Sequence, residues 1–128
     1  MPRIQQEITF AASPSKIYEA LMTSAGHSAF TGAPAEISGE DGGAFSAYGG
    51  KVHGRNIELV PNTRIVQAWR AGSWPQGVYS IARYELKAEG DKTRLVFEQD
   101  GVPEDAVQHI DGGWHKMYWE PLKKHVER

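Results

Sequence analysis

Five histidines, His27, His53, His109, His115 and His125, are the side chains of this sequence best suited to proton transfer or metal ligation. Imidazole titrates near neutral pH and is a common metal ligand. Their spacing supports neither chemistry. None forms a His-Glu-x-x-His or His-x-His set, and no two stand three or four residues apart, so no helical turn would offer a metal two of them. His27 and His53 are the candidates for an acid or base facing a pocket, but spacing pairs neither with a carboxylate. A structural or surface role is expected for all five.

Nucleophilic catalysis fares no better. A catalytic serine needs a sharp strand-to-helix elbow. Ser13 precedes Pro14 and reads as a helix cap, while Ser46 and Ser80 fall in strand-like stretches. The glycines from Gly42-Gly43 to Gly49-Gly50 match neither a phosphate loop nor a dinucleotide fingerprint, because no helix follows them. Glu40-Asp41 reads as a turn and Glu104-Asp105 as a helix start. The absence of cysteine excludes disulfides, thiolate metal sites and cysteine nucleophiles. No catalytic residue, no metal site and no cofactor is expected.

The elements that would position any site come next. A chain of 128 residues, 40% hydrophobic and 23% charged, is expected to form one domain spanning 1–128, with enough chain for a real core. A net charge of -2 argues against nucleic acid as a partner. No apolar run approaches the roughly 20 residues of a membrane span. The start, MPRIQQEITF, is polar where a signal peptide is apolar, so a cytoplasmic location is expected.

Ile4, Gln6, Ile8 and Phe10 alternate with polar residues and predict a strand. Ser13-Pro14 opens a helix, with Ile17, Leu21 and Met22 at helical spacing through about Thr23; a second short helix fits within 24–32. Turn signals at Glu40-Asp41-Gly42-Gly43, Gly49-Gly50, Pro61-Asn62 and Glu89-Gly90-Asp91 then separate strands near 35–38, 43–48, 51–60, 64–71, 78–88 and 92–100. Such tight spacing predicts an antiparallel meander. From Pro103-Glu104-Asp105 to Lys123, Lys124 and Arg128 the chain reads as a terminal helix, acidic at its start and basic at its end. Val107, Ile110, Trp114, Met117 or Tyr118, Pro121 or Leu122, and His125 or Val126 form its apolar stripe. Gly112-Gly113 predicts a regular start only near Asp111. Pro121 predicts a kink, because it cannot donate to the Met117 carbonyl. A sheet with one apolar face needs a cover, and this helix is the available lid. The fold class is α+β.

An ordered set of short motifs carries a resemblance. Val52-His53-Gly54-Arg55, Glu58-Leu59-Val60-Pro61, Arg64-Ile65-Val66-Gln67-Ala68-Trp69-Arg70, Ser73-Trp74-Pro75-Gln76-Gly77, Gly101-Val102-Pro103 and Gly113-Trp114 look like the C-terminal domain of the activator of heat-shock protein ATPase family. That family lies within the START and polyketide-cyclase-like superfamily. The resemblance runs from Ile4 to about Val126. It implies the helix-grip fold: a curved sheet of six or seven strands around a long C-terminal helix, usually enclosing a cavity.

By that analogy the cavity would be lined by Phe30, Phe45, Tyr48, Trp69, Tyr84, Phe97, Gln99, Trp114, Met117 and Tyr118. The plain alternative is that these side chains simply fill the core. Trp74-Pro75, between Gly72 and Gly77, either folds back to cap the barrel end, the preferred reading, or joins Arg64 and Arg70 in a partner-binding face. The resemblance leads to three functions. First is non-enzymatic binding of a small hydrophobic or aromatic ligand. Second is a co-chaperone-like module regulating the ninety-kilodalton heat-shock chaperone; the eukaryotic activator carries a further domain for which 128 residues leave no room. Third is a cyclase- or hydrolase-type enzyme using the same cavity.

Overall fold

The computed structural model describes residues 3–127 of the chain. Strand β1 (Arg3–Phe10) turns Ile4, Gln6 and Phe10 to its buried side. Ser13 caps helix α1 (Pro14–Met22): its hydroxyl accepts from the Lys16 N–H at 3.3 Å, and Pro14 stands in the first turn, where no donor is missed. Thr23 closes α1 and caps helix α2 (Ser24–Thr31) by accepting from the Gly26 N–H at 3.0 Å.

Six further strands follow: β2 (Glu36–Ile37), β3 (Ala44–Ala47), β4 (Val52–Val60), β5 (Arg64–Ala71), β6 (Ser80–Glu89) and β7 (Lys92–Asp100). Together with β1 they make one seven-stranded antiparallel sheet in the order β1-β7-β6-β5-β4-β3-β2. A bulge at Ile57 between Asn56 and Glu58 bends β4. Register builds the concave face in rows. Ile65, Tyr84, Phe97 and Gln6 stand side by side across four strands, and Gln67, Ala82, Gln99 and Ile4 form the next row. Ala82 is the small member of its row, which leaves height above it for a large side chain from the helix.

The helix brings Trp114, 2% exposed, to the Gln99 of that row. Its ring lies 4.3 Å from Phe97 and 4.6 Å from Tyr118, centroid to centroid, and its Nε1–H donates to Gln99 Oε1 at 2.7 Å. The terminal helix carrying it runs as a short turn (Glu104–Ala106), helix α3 (Val107–Gly113), a widened π-turn (Trp114–Trp119) and helix α4 (Glu120–Val126). Trp114, Tyr118, Trp119, Leu122 and Val126 are its buried stripe.

The helix departs from expectation at three places. It is already helical at Val107, four residues ahead of Asp111, because Gly112-Gly113 lie inside it with right-handed neighbours. At Pro121, where a kink is expected, the backbone stays right-handed from Gly113 to Glu120 and the ladder loosens into the π-turn just before the proline. Met117, expected to face inward, is 44% exposed. The π-turn inserts a residue into the helical phase, so Tyr118 and Trp119 both turn inward and Met117 moves to the rim. The expected basic end includes Lys123 and Lys124; Arg128 lies outside the described residues.

Candidate functional site

The concave sheet is closed by the helix along most of its length but open at one end. There the ends of β4 and β5, the loop from Gly72 to Pro75 and the first half of the terminal helix surround a groove of about 720 Å3. Tyr48, Val52, Trp69 and Trp74 line the sheet side; Ile110, Trp114, Met117 and Tyr118 line the helix side. Lys51, Ser73, Asp105 and His109 supply polar and charged groups along its lining. The segment from Glu104 to Gly113 contributes no fully buried residue.

Tyr48 is placed there at a conformational cost. Its φ of 53° lies in the left-handed region, which bulky residues rarely adopt. Its hydroxyl donates to the backbone carbonyl of Met117 on the opposite wall. Burial raises its pKa above the ordinary tyrosine value.

Behind this wall sits His27, 3% exposed, with Phe30 at 4.9 Å, Tyr118 at 5.4 Å and Tyr48 at 6.5 Å, centroid to centroid. Its Nε2 is 3.2 Å from the Tyr118 hydroxyl, and burial lowers its pKa to about 4, so it is neutral at physiological pH. The Tyr118 hydroxyl is pushed in the opposite direction by the same desolvation. His53 lies on β4 in register with Ser46 and Arg70.

Trp74 is only 7% exposed, its ring packed edge-on against Trp69 at 5.5 Å. Arg70, also buried, ties down the loop that carries it, donating from Nη2 to the Trp74 carbonyl at 2.7 Å and from Nη1 to the Pro75 carbonyl at 3.2 Å. Its guanidinium stands 5.6 Å over the Tyr79 ring. Arg64 lies further along β5, paired with Glu85 at 2.8 Å and Glu58 at 3.4 Å. The three residues expected on a partner face therefore divide into Arg64, held in two ion pairs, and the buried loop anchor of Arg70 and Trp74.

Of the ten residues expected to line a cavity, the structure gathers Tyr48, Trp69, Trp114, Met117 and Tyr118 at the groove. Phe30, Phe97 and Gln99 lie in the packed interior, and Phe45 and Tyr84 border a separate void of about 10 Å3, room for one water molecule at most. The sequence reading missed the lining from Lys51, Val52, Pro103, Asp105 and Ala106. Its signal was present on the helix: Ala106, Ile110, Gly113 and Met117 recur at steps of four, three and four, a second stripe beside the core one. The lining is mostly apolar and aromatic, interrupted by Lys51, Ser73, Asp105 and His109. Among the described residues no cluster of His, Cys, Asp or Glu could hold a metal ion, and no helix is long and apolar enough to cross a membrane.

With this geometry in place, the likeness to known proteins is specific. Residues 11–127 match the family described as Activator of Hsp90 ATPase homolog 1-like protein. The human activator of 90 kDa heat shock protein ATPase homolog 1 is 33% identical over 122 residues, covering 95% of this chain and 36% of that protein. The chain thus spans about a third of the length of this curated relative. The solution structure of an Aha1 dimer from Colwellia psychrerythraea superposes with a TM-score of 0.85 at 25% identity, covering 99% of this chain and 97% of that one. The crystal structure of an HSP90 activator from Plasmodium falciparum shares the fold with a TM-score of 0.87 at 20% identity, over 94% of each chain. A helix-grip sheet, a lid helix and this match over nearly all of its length place the chain in the Activator of Hsp90 ATPase homolog 1-like protein family.

Proposed function

We propose that this domain is a non-enzymatic binder of a small hydrophobic or aromatic molecule, held in the groove between the sheet and the C-terminal helix. One observation carries the reading: a groove of about 720 Å3 walled by Trp69, Trp74, Trp114, Tyr48 and Tyr118. Small-molecule sites commonly measure roughly 300–1,000 Å3 and combine apolar walls with a few polar groups. The left-handed Tyr48 at the same wall adds support, since backbone strain persists mainly where surrounding structure enforces it and gathers at functional sites. Native mass spectrometry of the purified protein, followed by thermal-shift screening against fatty acids, aromatic polyketides and flavonoids, tests the reading. A co-purifying small molecule, or a melting temperature that rises and saturates with added compound, is the expected result. A bare mass together with flat melting curves across the screen removes it.

A second reading, a module that regulates a heat-shock chaperone, is favoured by the 33% identity to the human activator over 95% of this chain. Because Arg70 and Trp74 are buried, contact through that region would fall on Arg64, Tyr79 and the backbone of the Trp74 loop. Stimulation of the ATPase of the purified chaperone by this domain supports that reading. No binding and no change in turnover at high micromolar domain removes it. The cyclase- or hydrolase-type alternative would have to recruit His27, which is packed behind Tyr118, or His109 at the groove.

A further inference from the structure

The concave face satisfies its aromatic donors by one repeated device. Trp119 Nε1–H donates to Gln6 Oε1 at 2.6 Å, Trp114 Nε1–H to Gln99 Oε1 at 2.7 Å, and the Tyr84 hydroxyl to Gln67 Oε1 at 3.1 Å. Each glutamine is itself held by its amide: Gln6 donates to Asp111, Gln99 to Ser80 and Gln67 to Asn56. Trp69 breaks the pattern. It is 3% exposed, and its Nε1–H is closed off from solvent and bonded to no acceptor among the described residues. A buried donor without an acceptor costs free energy and asks for an explanation.

His27 Nδ1 and Arg70 Nε are also buried without partners, but Trp69 alone of the three lines the groove. Its ring lies between Trp74 at 5.5 Å and Trp114 at 5.4 Å, in the middle of the aromatic wall. We infer that the molecule bound in this groove is flat, largely apolar and carries a carbonyl-type oxygen, which accepts the hydrogen bond that Trp69 Nε1–H makes to none of the described residues. The inference rests on the reading of the groove as a small-molecule site and adds the chemistry of its occupant. A purely hydrocarbon occupant would fill the same volume and leave the donor stranded.

Access to the nitrogen requires a neighbour to yield. Trp74 covers Trp69 from one side on a loop that Arg70 ties down, so the neighbour that yields is the Glu104–Gly113 segment, which borders the groove from the other side and buries no residue fully. The sheet beneath Trp69 has no such freedom, since the Trp69 carbonyl accepts from the Ser80 hydroxyl, which in turn accepts from Gln99.

The test compares 9-fluorenone with fluorene, two tricyclic probes of nearly equal shape that differ in one carbonyl oxygen. Both are titrated into the intact 128-residue chain, followed by proton–nitrogen NMR of the indole N–H groups, with Trp69→Phe used to assign the Trp69 signal. The expected result is about tenfold tighter binding of fluorenone, the gain of one net hydrogen bond, with a downfield shift of the Trp69 indole proton. In Trp69→Phe the preference collapses to near unity while fluorene binding is kept. Equal affinities in the wild-type protein, with an unmoved Trp69 indole proton, overturn the carbonyl inference and leave the groove reading standing. Failure of both probes to shift any groove indole overturns both.

Discussion

The Tyr48 hydroxyl donates to the backbone carbonyl of Met117, the carbonyl whose α-helical partner would be the missing N–H of Pro121. A side chain from the far edge of the sheet thus serves a helix where the sequence deprives it of a donor. This bond ties the two walls of the groove together, and it depends on Tyr48 standing in the left-handed conformation, with φ 53°.

Tyr48→Phe keeps the backbone conformation and the ring while deleting the donor. We expect a loss of about 1 kcal/mol in urea unfolding, the usual net worth of a hydrogen bond that water can partly replace. An unchanged midpoint would show that the helix does not draw on this contact.

Trp114→Ala removes the ring at the centre of the aromatic core and strands the Gln99 carbonyl. The expected cost is about 3–5 kcal/mol, as for other fully buried large-to-small changes. A loss below about 1 kcal/mol in denaturant melts would place Trp114 outside the core and contradict the helix register.

Gly54→Ala is the sharpest steric test. A Cβ at Gly54 would stand 1.8 Å from the Ala68 carbonyl oxygen on the neighbouring strand, a backbone atom that cannot rotate away. The two strands would have to part beside Trp69, so destabilisation of about 3 kcal/mol or more is expected. Circular dichroism melts read it directly, and a variant as stable as the parent would mean that β4 and β5 are not packed this closely.

His27 makes stability depend on pH. Its folded pKa is lowered by burial from 6.5 to about 4, so the unfolded chain takes up a proton first as pH falls. Its contribution is therefore fully present above about pH 6.5 and is lost progressively between pH 6.5 and pH 4, up to about 3 kcal/mol. Denaturant melts at pH 7.5, 5.5 and 4.5, comparing the parent with His27→Gln, isolate this share from that of the carboxylates. Parallel stability curves for the two proteins would show that His27 is not buried in its neutral form.

Legibility followed the range of the interaction. Ser13 and Pro14 announce α1 because capping is chemistry among adjacent residues. The turns at Asp41-Gly42 and Glu89-Gly90 mark strand ends for the same reason, and the alternation of Ile4, Gln6, Ile8 and Phe10 told which face of β1 is buried. The terminal helix was readable as an amphipathic stripe, but its phase was not. The π-turn over 114–119 shifted Met117 to the rim and brought Trp119 inward, where Trp114 bonds to Gln99 and Trp119 to Gln6.

The site divides along the same line. Sequence alone determined an antiparallel meander followed by a lid helix, with aromatic side chains on both. Only the tertiary structure decided which aromatics pack and which line a groove, because that depends on where the helix sits across the sheet. It brought Tyr48 and Met117 together across 69 residues of chain, buried Arg70 and Trp74 as a loop anchor, and left the Trp69 N–H without a partner. The Tyr48–Met117 contact joins residues far apart in the chain, and even the short-range Arg70 anchor is buried only because the sheet and helix close around it, which no local pattern of residue types encodes.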